Sequence, residues 1–149
     1  ALRVSRTPVE VMPAPLHDLD RAIARAVAEY IADGSVLQVG IGAVPDAILR
    51  LLHDRRDLGV HSGMLGDALL ELIEAGVVTN ARKAMDAGVS VTTALIGSRR
   101  LYELAHRNPA ISLRTSAYTH NASVLAQLSK LVTINSAIEV DLTGQVNAE

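Results

Sequence analysis

Short apolar runs alternate with amphipathic stretches from Asp18 almost to the last residue of this chain, and few folds accept that order. Residues 36–41 (VLQVGI), 58–61, 89–96, 111–118 and 131–146 read as strands, being apolar, β-branched or alternating with a period of two. Between them lie helical patterns. The first, from Asp18 as N-cap to a stop at Gly34, puts Leu19, Ala22, Ile23, Ala26, Val27, Tyr30 and Ile31 on one face. The second carries Pro45 in its first turn and runs to basic residues near 53–56; the others cover 67–76, 99–106 and 121–128, the last capped by Asn121. Strand alternating with helix predicts an α/β fold, a largely parallel sheet flanked by helices. With no Phe and no Trp in the sequence, its core must be aliphatic. Residues 1–16 hold Pro8, Pro13 and Pro15 and are expected to form an arm or linker, leaving 17–149 as the domain.

Charge and composition exclude several classes of function. The net charge is -2, and the 14 Lys and Arg are scattered except for Arg55-Arg56, Arg82-Lys83 and Arg99-Arg100, so no nucleic-acid surface is expected. Zero cysteines rule out disulfides, thiolate metal sites and a cysteine nucleophile, and suit a cytoplasmic protein. No apolar run approaches membrane-spanning length, and no signal-peptide pattern opens the chain. His17, His53, His106 and His120 show no metal-ligand spacing, so no metal is expected.

Three places hold chemistry. Gly40 and Gly42 follow a strand and precede a helix, a turn through which backbone N–H groups can approach a phosphate. A tight βα turn with no ligand is an equal reading, because Pro45 stands where a dinucleotide fingerprint needs Gly or Ala. His61 and Ser62 are expected just beyond the second strand, facing the crevice at the strand ends. As neighbours they point to opposite sides and form no hydrolytic pair, and a packed, hydrogen-bonded imidazole is the plainer reading of His61. Glu139 and Asp141 would share one strand face about 7 Å apart. A solvated polar face explains them better than an acid/base pair.

The stretches LQVGIGAVPDAIL (37–49), LGVHSGM (58–64) and INSAIEVDLTGQV (134–146), with GVVTNARK and RRLYEL between them, resemble the acetyl-CoA hydrolase/transferase family in order and spacing. The resemblance runs from about His17 onward and includes the class I CoA-transferases that act on 4-hydroxybutyrate. It implies a protein of two α/β domains, this chain being much of the second, truncated before a further glycine-rich CoA loop. Family members move CoA from an acyl-CoA to a small carboxylic acid, or to water. A glutamate attacks the thioester, and an acyl anhydride and a glutamyl-CoA thioester follow. Carried over, Gly40, Ile41, Gly42, Ala43 and Val44 would contact CoA, with Ile138 a further contact through its backbone. CoA or acyl-CoA would be the substrate, a missing N-terminal domain the main partner, and a homo-oligomer is compatible with the exposed sheet edge.

One position departs from the pattern. The nucleophilic glutamate of the resembled family falls at Gly63, which has no side chain to form a thioester. Asp67 is nearer in sequence than Glu139, but its use would require a rebuilt site. The resemblance therefore implies an acyl-CoA:carboxylate CoA-transferase or acyl-CoA hydrolase whose usual nucleophile is absent, with this chain inactive alone. A CoA-binding or partner-binding pseudoenzyme is the alternative, and a nicotinamide-dinucleotide-binding domain a weaker one.

Overall fold

The computed structural model describes residues 6–148. Its body is one five-stranded sheet built from β1 (Val36–Val39), β2 (Gly59–Leu65), β3 (Ser90–Leu95), β4 (Ile111–Leu113) and β5 (Leu131–Ile134). Every neighbouring pair in this sheet is parallel, and the order is β4-β3-β2-β1-β5. The helices are α1 (Asp18–Ala28), α2 (Ala43–Leu49), α3 (Asp67–Glu74), α4 (Arg99–Ala105), α5 (Ser116–Thr119) and α6 (Ala122–Leu125). A separate antiparallel hairpin, β6 (Glu139–Val140) with β7 (Val146–Asn147), follows the sheet.

The strand order fixes where the helices go. From β1 to β4 the chain steps in one direction, and right-handed crossovers put α2, α3 and α4 on one face. The chain then returns past β1 to lay down β5, so α5 and α6 fall on the opposite face, where α5 packs on β2 and β3. The first face holds the aliphatic core: Leu37, Val39, Ile48, Leu52, Val60, Leu69 and Leu72 are almost wholly buried together. The second face is thinly covered, since α5 and α6 have four residues each.

The α/β class and the parallel sheet are as the sequence predicts, but several elements differ. β2 runs to Leu65 rather than ending at His61, so His61, Ser62 and Gly63 lie inside the strand. The strand expected over 111–118 stops at Leu113, and Ser116–Thr119 forms a helical turn instead. The long strand expected over 131–146 is three pieces, because Asp141 makes a turn. Its carboxylate accepts from Thr143 N, Thr143 Oγ1 and Gln145 N, and Gly144 takes a φ of 88°. In α1 the N-cap is His17 rather than Asp18, and Ala24 and Ala28 face inward while Leu19 and Tyr30 are exposed. The Asp20 carboxylate accepts from the His17 N–H at 2.8 Å.

The arm expected over 1–16 falls partly on residues 1–5, outside the described residues. From Val9 onward it lies against the start of α4: Val11 N–H donates to Gly97 O, Tyr102 hydroxyl donates to Val9 O, and Glu10 pairs with Arg99. No helix among the described residues is long and apolar enough to cross a membrane.

Two buried polar side chains tie β2 to the segment leading into β3. Asn80, at a φ of 56°, accepts from Val60 N–H at 2.8 Å and donates to Ser90 Oγ at 3.0 Å. Lys83 lays its stem over Gly59, where a Cβ would come within 2.8 Å of its Cγ. Its ammonium donates to Val60 O at 2.9 Å and Val89 O at 2.7 Å. Burial pulls the Lys83 amine down to about 8, against the charge of Asp86, which works the other way.

Asn80→Ala would leave the Val60 N–H without an acceptor inside the sheet. We expect a loss of about 2–3 kcal/mol of unfolding free energy, read from urea melts. Lys83 holds its proton less tightly folded than unfolded, so its burial costs stability below pH 8, and that cost fades as pH rises toward 10.5. Unfolding free energy measured from pH 8 to 10 should therefore rise, and Lys83→Met should flatten that rise.

Candidate functional site at the carboxyl edge of the sheet

β1 and β2 pair only at their beginnings, Val36 with Gly59 and Leu37 with Val60. Beyond that point the Ser62 hydroxyl bridges the gap: it accepts from Val39 N–H and donates to Val39 O, each at 3.1 Å. Ser62 is fully buried, so it is a sheet fastener with no access to a substrate. Past it the strands part, next to the place where strand order reverses between β1 and β5, the usual location of a ligand crevice in an open α/β sheet.

The register across this edge lines up four residues. Val39 pairs with Ile134, which brings Gly40 level with Asn135. The register joining His61 to Val91 and Met64 to Ala94 brings Gly63 level with Thr93. Continuing the β1–β2 register brings Gly40 level with Gly63. The row is thus Thr93, Gly63, Gly40, Asn135. Its two middle members have no side chains, and each is roofed by a polar group from a neighbour. A Cβ on Gly40 would lie 2.9 Å from Asn135 Oδ1, and a Cβ on Gly63 would lie 2.9 Å from His120 Cε1 and 3.1 Å from His120 Nε2. Asn135 is steadied by a reciprocal amide pair with Gln38.

His120 belongs to a chain of polar contacts on the α5 face. Its Nδ1 is 2.9 Å from Thr119 Oγ1, which is 2.6 Å from Thr93 Oγ1. His120 itself is exposed. His61, on the same strand face as Gly63, is fully buried and bonds through Nε2 to Thr119 O at 3.2 Å; its Nδ1 has no partner. Burial, and then the charge of Lys83, hold the His61 imidazole below its ordinary value, so it stays neutral and donates from Nε2. The packed imidazole foreseen from the sequence is what the structure contains, although His61 faces α5 and not the crevice.

The glycine turn leaves β1 through Gly40 and exposed Ile41 to Gly42, whose φ of 127° only glycine adopts without strain. Ala43 and Val44 open α2. A cavity of about 240 Å³ lies against this turn, between Val39, Met64, Leu69 and arm residues such as Met12. Two carboxylates share it. Asp46 is shifted upward by burial, with Asp67 adding to the shift. Asp67 accepts from Ser98 N and Ser98 Oγ, so it is engaged in starting α4 and is not free to stand in for a carboxylate at position 63.

The Ile138 side chain is exposed, and its N–H donates to Asn147 O within the hairpin. Glu139 faces solvent in the same hairpin, beside Asn147, and Asp141 sits in its turn. Asp141 thus lies beyond the two-residue strand that holds Glu139, and its Oδ1 is taken up by the turn. His120 and Asn135 were missed in the sequence, since each reaches the row from far along the chain. Among the described residues no three His, Asp or Glu gather as a metal site would require.

Residues 97–149 match the model of the acetyl-CoA hydrolase/transferase C-terminal domain. The 4-hydroxybutyrate coenzyme A transferase of Clostridium kluyveri is 40% identical over 141 residues, 95% of this chain and 33% of that protein. The succinyl-CoA:cyclohexane-1-carboxylate CoA transferase of Geobacter metallireducens is 35% identical over 135 residues, 91% of this chain and 31% of its own. Among solved structures, RipA from Yersinia pestis superposes with a TM-score of 0.92 at 37% identity, over 97% of this chain and 34% of that one. A 4-hydroxybutyrate CoA-transferase from Porphyromonas gingivalis gives 0.91 at 36% identity, over 96% and 36%. The chain spans about a third of the length of these relatives. In sequence and in fold alike, this chain belongs to the acetyl-CoA hydrolase/transferase family.

Proposed function

We propose that the protein acts on acyl-CoA thioesters, as a CoA-transferase or acyl-CoA hydrolase, and that it does so without a glutamyl-CoA intermediate at position 63. Kinship supports the substrate: the relatives are named for moving CoA among small carboxylic acids such as 4-hydroxybutyrate and cyclohexane-1-carboxylate. The observation that carries the second half is Gly63 itself, which offers no atom beyond Cα and lies under the His120 ring.

In this reading Gly40, Ile41, Gly42, Ala43 and Val44 form the CoA contact. The cavity beside them has mostly apolar walls and two carboxylates, which suits the uncharged pantetheine arm better than the pyrophosphate. The phosphates would be held by parts of the protein beyond this third of the relatives' length, including a preceding α/β domain. Ile138 would meet CoA only through its side chain or carbonyl, because its N–H is already used. No metal is assigned a role.

Two measurements test this. Full-length protein incubated with acetyl-CoA should form no borohydride-sensitive thioester with itself. Gly63→Glu should form one, since the exposed His120 ring can swing aside to admit the new side chain. A self-thioester on the unsubstituted protein would identify another carboxylate as nucleophile and overturn the proposal. For the cradle, Gly42→Ala forces an alanine to a φ of 127°. CoA affinity measured by calorimetry should fall by about tenfold, the equivalent of ~1.4 kcal/mol. CoA binding with no turnover by the full-length protein would instead favour a CoA-binding pseudoenzyme, as the missing side chain at Gly63 also allows.

A further inference from the structure

Resting on the acyl-CoA reading above, we propose that His120 is the general base of this site and that the reaction is hydrolysis, with water taking the thioester that a carboxylate at position 63 would otherwise attack. The argument begins with space. The imidazole of His120 lies so close to Gly63 that any Cβ there would come within 2.9 Å of its Cε1. Glycine at 63 and the observed seat of His120 are one arrangement: the ring occupies the volume a side chain would need.

The arrangement also orients the ring. His120 Nδ1 lies 2.9 Å from Thr119 Oγ1, which lies 2.6 Å from Thr93 Oγ1, and in the proposed reaction Nδ1–H donates into this pair. That tautomer leaves the Nε2 lone pair free on the side of Gly63 and the glycine row. A base needs an oriented ring with a group behind it, and the Thr119–Thr93 pair supplies that group. The backbone bearing His120 is held as well, because neutral His61 donates to the carbonyl of Thr119. Exposure of His120 gives water a path to Nε2.

The chemistry balances with water as the only co-reactant. Nε2 takes a proton from water as the oxygen adds to the thioester carbonyl carbon. The tetrahedral intermediate then expels sulfur, the C–S electron pair leaving with it. The imidazolium returns its proton to that sulfur, so the products are a carboxylic acid and the free thiol of CoA. No covalent enzyme intermediate forms.

The test uses full-length protein, acetyl-CoA and a chromogenic thiol reagent, with no carboxylate acceptor present. Steady thiol release is expected. His120→Ala and His120→Gln should each lower the rate at least about 100-fold. CoA affinity by calorimetry and the cooperative melt should stay unchanged. Added imidazole should restore part of the rate in His120→Ala alone, which a merely structural role would not allow. Hydrolysis that persists in His120→Ala, an acyl group trapped on His120, or acetyl-CoA turned over only when a carboxylate acceptor is added would each overturn the proposal while leaving the acyl-CoA reading in place. Failure of the unsubstituted protein to bind CoA would overturn both.

Discussion

Where β1 parts from β2, one hydroxyl replaces the sheet's own hydrogen bonds. Ser62 Oγ engages both the N–H and the carbonyl of Val39, groups that a continuous parallel ladder would pair with backbone. Without it, two buried backbone groups would be stranded at the deepest point of the crevice. With it, the strands diverge at no cost in unpaired groups, and the glycine turn leaves β1 at an angle that opens the carboxyl edge. The helix on one side and the polar face on the other are arranged around that separation.

The two sheet faces divide the work. The α2–α3 face is a dry aliphatic core, while the α5 face holds His61, Thr93, Thr119 and His120 in one hydrogen-bonded group. A polar group on a sheet face is tolerable when its members satisfy one another, and among its buried side-chain atoms in the described residues only His61 Nδ1 lacks a partner. On the reading proposed above, the histidine over the Cα of Gly63 moves a proton there and water is the acceptor.

The fold was legible because its periodicities are strong, and the misreadings have specific causes. β2 looked short because His61, Ser62 and Gly63 resemble a loop, whereas His61 Nε2 and the Ser62 hydroxyl find partners in Thr119 and Val39. The 131–146 stretch alternates with a period of two throughout, but the Asp141 turn folds its second half on itself. In α1 the larger apolar residues suggested the buried face, yet Ala24 and Ala28 face inward, as close packing of α1 on α2 requires small side chains. The glycine turn was visible in sequence. Its companions were not, because Asn135 and His120 arrive through tertiary contacts that no local spacing encodes.

The strand order also sets a timetable for synthesis. β1 lies at the heart of the sheet, but its partner on one side, β5, is encoded roughly 95 residues later, on the order of 5–20 seconds of translation. During that interval the outer edge of β1 is unpaired, and Gly40 has no Asn135 above it. The nascent chain therefore carries an adhesive edge at the very place where the glycine row will later form. The same pairing that buries this edge completes the glycine row, so a molecule able to bind there has already passed its most aggregation-prone stage.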